Sequence, residues 1–345
     1  MSAVLSARQE KILKGVVEAH IGSAQPVGSL QVLASSGLDC SPATVRNEMA
    51  ELMAAGYVEQ PHTSAGRIPT DKGYRYYVDR LMAVPESSAR AREAISRRLC
   101  RLEGWVEAVC RETCRMLLDA TGQATIVVAW TASDVLVGQV HMARMGPRTL
   151  VVILVLSSGQ VLHRSLEEER PLSASEVARC ARAVRGALVG RPLGAVKEVL
   201  SSLSRHQLLS ARERQVFQSL ASPSQVPEVV EQVFLEGASR IAEAPEFRRS
   251  AELAGLLSLL DENQRLGRTV LAVSGGREFV VSIGRENPAQ EMHQCSLVLR
   301  SVPIREEPPT RATLGVLGPR RMDYPHIAGA LRDLARELPR WLRSL

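Results

Sequence analysis

Residues 41–79, SPATVRNEMAELMAAGYVEQPHTSAGRIPTDKGYRYYVD, constrain this chain more than any other stretch of it. Ser41 is a good N-cap. Pro42 suits the first helical position, where its fixed φ helps and its missing N–H costs nothing, and Gly56 closes the helix. Between them Val45, Met49 and Leu52 fall at i, i+4 and i+7 and form a buried seam. That leaves Ala43, Thr44 and Asn47 outward near the helix start, with Arg46 flanking them. Tyr57–Gln60 and Arg67–Pro69 then pair as short strands around the tip PHTSAG.

Two helices are expected before this segment. The first runs from about Ser6 to His20, with Ser6 and Gln9 as a capping box, Ile12, Leu13, Val16 and Val17 in its apolar stripe, and Gly22 ending it. The second starts near Ser29, with Leu30, Leu33 and Ala34 inward and Gly37 in the turn. Helix, turn, helix and two-stranded wing, in that order and at those lengths, are the layout of a winged helix-turn-helix. Such a module presents the first turn of its reading helix to the major groove. Arg46 suits guanine O6/N7, Asn47 suits adenine N6/N7, and Thr44 can meet a base or a phosphate. The expected DNA-binding set is Ser41, Ala43, Thr44, Arg46 and Asn47 on the helix with His62, Ser64 and Arg67 on the wing, followed by Lys72 and Arg75. Arg67, Lys72 and Arg75 are expected to hold phosphates. Taken singly, the helix reads equally as a solvated polar face and His62 as an ordinary loop histidine; the ordered combination favours DNA.

Charge distribution limits how such binding can work. The chain carries a net +6, yet residues 1–84 hold eight Lys/Arg and eight Asp/Glu. Affinity must come from placed cations rather than a bulk field. Four lysines beside 39 arginines read as genomic base composition. At 345 residues and 45% apolar content the chain can build two or three domains. Its longest apolar runs, such as Leu150–Leu156, have strand length and fall short of a membrane span. The start MSAVLSARQEK lacks a signal-peptide core, and the six cysteines form no CxxC pair, so a reduced cytoplasmic protein is expected.

Val84–Ser88 reads as a linker. A long helix is expected from about Ala89 to Ala120, then strands at Thr125–Trp130, Val135–Met142, Thr149–Ser157 and Gln160–Ser165, with a Ser158-Gly159 hairpin. Helices follow from Glu169 to Glu262, including one over VPEVVEQVFLEGASRIAEA. Strands return at Thr269–Ser274, Phe279–Ile283, Ser296–Pro303 and Arg311–Leu317, before a closing helix from Tyr324 to Arg343. The simplest topology is an antiparallel α/β domain interrupted by a helical insertion.

Catalytic and metal chemistry find no foothold. GxSxG, HExxH, GxGxxG and paired-carboxylate patterns do not stand out, and neither a cofactor nor a catalytic residue is expected. Cys100, Cys110 and Cys114 lie at helical spacing without a histidine and read as packing residues. Ser274-Gly275-Gly276-Arg277 reads as a turn between strands. Two charged, glycine-bearing stretches, 284–287 (GREN) and 318–323 (GPRRMD), sit at strand ends. They line a ligand pocket or, more simply, Glu286 and Asp323 satisfy neighbouring arginines.

SPATVRNEMAEL, GYVEQPHTSAGRIPTDKGYRYYVD, IGRENP and LGVLGPRRMDY together resemble the bacterial heat-inducible transcription repressor HrcA family. The likeness covers both ends of the chain and is looser in the middle; Ser23-Ala24 departs from the polar pair that relatives often carry. The resemblance implies an α+β multidomain fold. A winged helix-turn-helix spans 1–84, a GAF-like domain is formed by 88–168 and 263–345, and a helical dimerising domain is inserted at 169–262. It places the DNA-reading helix at Ser41–Ala54 and the wing at Gln60–Pro69. It also implies a homodimer on an inverted-repeat operator of chaperone operons, released on heat stress, with chaperonin as a folding modulator. The alternative is a small-molecule-sensing regulator with a ligand pocket in the GAF-like domain.

Overall fold

The computed structural model describes residues 5–62, 65–100, 106–131, 135–157, 161–222, 230–247, 250–305 and 310–342. It is a mixed α and β chain whose contacts divide it into two compact units. One joins Met1–Val128, Val233–Val302 and Ala312–Leu345; the other joins Ala129–Gln232 and Pro303–Arg311.

The first unit opens with α1 (Ala7–Ser23), α2 (Ser29–Ser36) and α3 (Pro42–Ala54), then the strands β1 (Val58–Glu59) and β2 (Ile68–Pro69) and the short helix α4 (Asp71–Tyr76). Ser6 and Gln9 form the expected capping box on α1. On α2 the buried residue is Val32, while Leu30 is 70% exposed and Ala34 is also exposed, contrary to the expected inward pair. The cause is close packing on α1: a Cβ on Gly15 would lie 3.3 Å from Val32 Cγ1, so the β-branched residue takes the contact. Helix α1 ends at Ala24, which sits at φ 55° in the left-handed region. That conformation costs an L residue about 1–2 kcal/mol, partly offset in glycine by its freer unfolded chain. Ala24→Gly is expected to stabilise the unit by roughly 0.5 kcal/mol, read as a rise of ~1–2 °C in Tm; a fall would mean that the alanine methyl makes a compensating contact.

After the linker come α5 (Ala89–Leu99) and α6 (Val106–Thr121), where one continuous helix is expected; residues 101–105 lie outside the described set. The body of this unit is a five-stranded sheet built from β3 (Ala124–Thr131), β7 (Val230–Glu236), β8 (Phe279–Ile283), β9 (Cys295–Arg305) and β10 (Thr310–Pro319), in the order β7-β3-β10-β9-β8. Every residue from Ala124 to Ala129 is buried, because both faces of β3 are covered. Ala124, Ile126 and Val128 meet Leu256, Leu259, Leu266 and Val270 of α11 (Ser250–Asp261) and α12 (Asn263–Ser274). The intervening Thr125 instead donates to the Cys114 carbonyl of α6 at 2.9 Å. Cys114 is itself buried and donates to Phe234 O at 3.4 Å, the packing role expected of it. The last helix, α13 (Tyr324–Leu342), lies along α5 and α6.

The second unit is an antiparallel meander of β4 (Val137–Arg144), β5 (Thr149–Leu156) and β6 (Val161–Glu167) against α7 (Ala174–Leu188), α8 (Val196–Leu203) and α9 (Ala211–Leu220). Leu150, Val152 and Leu156 alternate onto the core face, where Val184, Leu188 and Phe217 meet them. The strands from 137 to 167 therefore share a core with the helices after them, and by contacts this unit takes in Ala129–Gln232 with Pro303–Arg311. The Ser158-Gly159 turn lies outside the described residues.

Two element assignments are corrected. Thr269–Ser274 is the end of α12, not a strand: Leu266, Val270 and Val273 are buried at helical spacing despite the β-branched content. It follows that the 274–277 glycines end a helix rather than join two strands. Val230–Glu236 is strand β7, not helix; Val230, Val233 and Phe234 favour a pleated surface, and Gly237 at φ 75° separates it from the short α10 (Ala238–Glu243). Among the described residues, no helix is long and apolar enough to cross a membrane.

Candidate nucleic-acid interface

Helix α3 starts as its sequence dictates. Ser41 Oγ accepts the Thr44 N–H at 3.1 Å and lies 2.9 Å from Thr44 Oγ1, so both hydroxyls are engaged in the cap. Val45, Met49 and Leu52 are buried, and Ala43, Arg46 and Asn47 are exposed on the opposite face. The acidic residues of α3 are turned aside: Arg8 pairs with Glu48 at 3.5 Å, and Gln9 donates to Glu51 at 2.9 Å. The first turn of α3 carries no acidic residue. Its exposed end thus offers a guanidinium, a carboxamide and a methyl beside the positive end of the helix dipole.

The hairpin beside it pairs Val58 with Pro69 and Glu59 with Ile68. Val27, from the segment joining α1 and α2, adds a bridge to Arg67, exchanging N–H to O bonds of 2.8 and 2.9 Å. Gly66 is required there, because any Cβ would run into the Val27 carbonyl. Gln60 donates to Ala65 O at 2.9 Å and braces the tip. His62 is exposed on that tip, and Ser64 lies outside the described residues. Arg67 is half-buried at the root of the hairpin, its Nε buried and without a hydrogen-bond partner among the described residues.

Lys72 and Arg75 do not lie with these groups as free cations. Lys72 Nζ donates to Ala55 O at 2.7 Å, at the C-terminus of α3, and sits 4.3 Å above the Tyr57 ring. Arg75 donates through Nε to Glu286 Oε1 at 2.9 Å and through Nη1 to Asp79 at 3.1 Å. Its second terminal nitrogen bonds Glu286 Oε2 and the Val281 carbonyl. The guanidinium expected to hold a phosphate is thus directed onto the β8 end of the α/β body. Two tyrosines, at the end of α4 and just after it, are bonded to α1. Tyr76 donates to Glu10 at 2.6 Å, which together with burial pushes its phenol up to about 12. Tyr77 is buried and donates to Glu18 at 3.3 Å.

Reasoning from sequence alone missed this joint. Glu286 satisfies Arg75, 211 positions away, rather than an adjacent arginine. Arg320 pairs with Asp71 at 2.8 Å, and the Arg285 N–H donates to the same carboxylate at 3.1 Å. Asp323 accepts the His326 N–H at 3.1 Å as a local cap. Beside the joint a cleft of about 1100 Å³ opens, lined among others by Glu59, Lys72, Arg265, Arg285 and Arg320.

His20, near the end of α1, lies within the electrostatic reach of Arg320, Arg321 and Glu246. Burial is the main cause that lowers its pKa, partly opposed by the Gln25 carbonyl 2.9 Å from Nδ1. A histidine whose folded pKa lies below its unfolded value of 6.5 stabilises the fold fully above that value, and the contribution is lost as pH falls below it. Melting temperature is therefore expected to drop between pH 7 and pH 5, and less steeply in His20→Gln; equal slopes would remove His20 as a cause.

Comparison with known proteins agrees with this architecture. The family model described as the HrcA protein C terminal domain matches residues 107–328. A heat-inducible transcription repressor HrcA from Geobacter sulfurreducens is 33% identical over 345 residues, covering 99% of each chain. One from Thermobifida fusca is 36% identical over 337 residues, covering 96% of each. A crystal structure of a hypothetical protein at 2.2 Å resolution shares the fold, with TM-score 0.61 and 22% identity over 99% of each chain. Identity above 30% along almost the whole length, with a family model over most of it, places the chain in the HrcA family.

Proposed function

We propose that this protein is a transcription repressor that acts in the cytoplasm. It binds, as a homodimer, an inverted-repeat operator upstream of chaperone operons, and heat stress releases it. The observation that carries the reading is the exposed, acid-free start of α3, where Arg46 and Asn47 stand clear of the fold. In this reading residues 1–84 are a winged helix-turn-helix, α3 is its reading helix and Gln60–Pro69 its wing. Arg46 and Asn47 discriminate bases. Ala43 leaves room for a close approach, Ser41 and Thr44 shape the helix start, and His62, Ser64 and Arg67 meet the backbone from the wing. The sheet of the first unit is a GAF-like body, and the inserted region pairs the subunits, so two-fold symmetry matches the inverted repeat. The family name supports repression and heat induction. Chaperonin is the proposed folding modulator: repressor refolded with it is expected to bind operator in a larger fraction than repressor refolded alone, and equal fractions would exclude that role.

The cleft beside Arg285 and Arg320 favours a second reading, in which a small anionic molecule enters there and drives release. Metabolite addition that lowers operator affinity without warming would select it; heat release in purified protein alone would not.

A further inference from the structure

We propose that Asp71, Arg75, Glu286 and Arg320 are positioning residues for operator reading. They fix the N-terminal three-helix head on the α/β body, so that the two heads of a dimer meet half-sites at one separation. The inference rests on the dimeric repressor reading above and adds to it the device that sets head geometry.

The two bonded partners of each pair lie more than two hundred positions apart, in the segments 71–75 and 281–320. Coil residues 82–88 follow the head and are tied to α13 only where Arg332 donates to the Pro85 carbonyl among the described bonds, so the direction of the head depends on what else holds it. Both receiving loops are rigid in their own right. Buried Asn287 donates through Nδ2 to Gly284 O at 2.9 Å and to Met292 O and Cys295 O at 3.1 Å each. Glu286 also accepts the Ile283 N–H at 2.9 Å, which aims its carboxylate. On the second loop, buried Tyr324 bonds Ser296 Oγ at 2.7 Å and the Arg320 carbonyl, and its ring lies 6.0 Å from that of buried Tyr74 on α4. The fit is close: Gly284 sits at φ 54°, and a Cβ there would collide with the Asp71 carboxylate.

Helix α4 carries this constraint to the reading helix. Lys72 bonds the last turn of α3 at Ala55 O, and Thr70, the α4 cap, donates to Gly56 O at 2.7 Å. With the joint closed, Arg46 and Asn47 remain exposed, so closure aims the reading surface without covering it. Exposed single ion pairs contribute little rigidity. Here a two-toothed arginine–carboxylate pair, a second pair reinforced by a backbone N–H, and a tyrosine contact act together, which fixes direction as well as distance. Held heads raise the effective concentration of the second for its half-site.

The test uses the full chain and the double variant Glu286→Gln/Arg320→Gln, which changes only residues outside the proposed DNA-reading set. Hydrogen exchange without DNA is expected to speed up about tenfold over 71–81, while α1–α3 exchange is unchanged. Binding is then read on a duplex that the wild-type protein selects from a random pool, on copies with the spacer altered by a few base pairs, and on a single half-site. The variant is expected to bind the half-site within about twofold of wild type, to lose about tenfold on the selected repeat, and to discriminate spacers poorly. Arg320→Lys, which keeps an ion pair with Asp71, is expected to retain the preference. Unchanged exchange over 71–81, or an unchanged spacer preference, would overturn the proposal. A wild-type chain that selects no inverted repeat would overturn the repressor reading and the positioning role with it, while the exchange data would still say whether the joint holds.

Discussion

Asn47→Ala is expected to flatten the preference among operator variants that differ at one base pair, with a loss of about 1–3 kcal/mol on the preferred sequence. The reason is geometric. Asn47 is exposed on the first half of α3, one position from Arg46 and away from the buried seam of Val45, Met49 and Leu52, so its carboxamide faces outward rather than into the core. Removing it costs little stability and subtracts only what it does outside. Arg67→Ala should behave differently. Arg67 stands at the root of the hairpin, bridged through its backbone to Val27, and loss of its side chain is expected to weaken binding to all duplexes alike and to reduce the salt dependence. Equal discrimination by both variants, measured by anisotropy against a panel of single-base substitutions, would undo this assignment of roles.

Gly284→Ala is expected to destabilise the first unit by about 2–4 kcal/mol. A left-handed alanine contributes about 1–2 kcal/mol of that, and displacement of a packed neighbour contributes the remainder. The neighbour is the Asp71 carboxylate, which any Cβ at 284 would overlap, so the substitution strikes the joint between α4 and the α/β body. Gly276→Ala is the natural control, since Gly276 also has a positive φ, 74°, but a Cβ there meets nothing within 4 Å. Denaturant titration should therefore give a larger loss for Gly284→Ala than for Gly276→Ala. Equal losses would mean that the φ angle alone matters and that the contact with Asp71 carries no weight.

How much of this was legible beforehand follows from how local each signal is. The start of α3, the capping box of α1 and the limits of β5 and β10 are written in adjacent residues, and the sequence reading finds them within a few positions. The inward face of α2 is not local. Leu30 looks like a core residue until Gly15 on α1 draws Val32 inward instead. Val230–Glu236 and Thr269–Ser274 exchange their expected states because tertiary packing overrides composition: the first lies in the sheet beside β3, the second lays a helical seam on it. The exposed face of α3 is legible from α3 alone, whereas the surroundings of Lys72 and Arg75 depend on partners elsewhere, the α3 terminus for one and Glu286 for the other. A basic residue such as Arg75 looks like a free cation from sequence; only the fold shows that a carboxylate two hundred positions away is bonded to it.

The central claim is operator binding relieved by heat, and fluorescence anisotropy tests it most directly. A labelled duplex carrying a family-type inverted repeat is titrated with the full chain beside a scrambled duplex, across salt and temperature. The account predicts a clear preference for the repeat and an affinity that falls on warming before the body of the protein unfolds. Equal, strongly salt-dependent binding to both duplexes would contradict it, leaving a phosphate-binding module without sequence recognition.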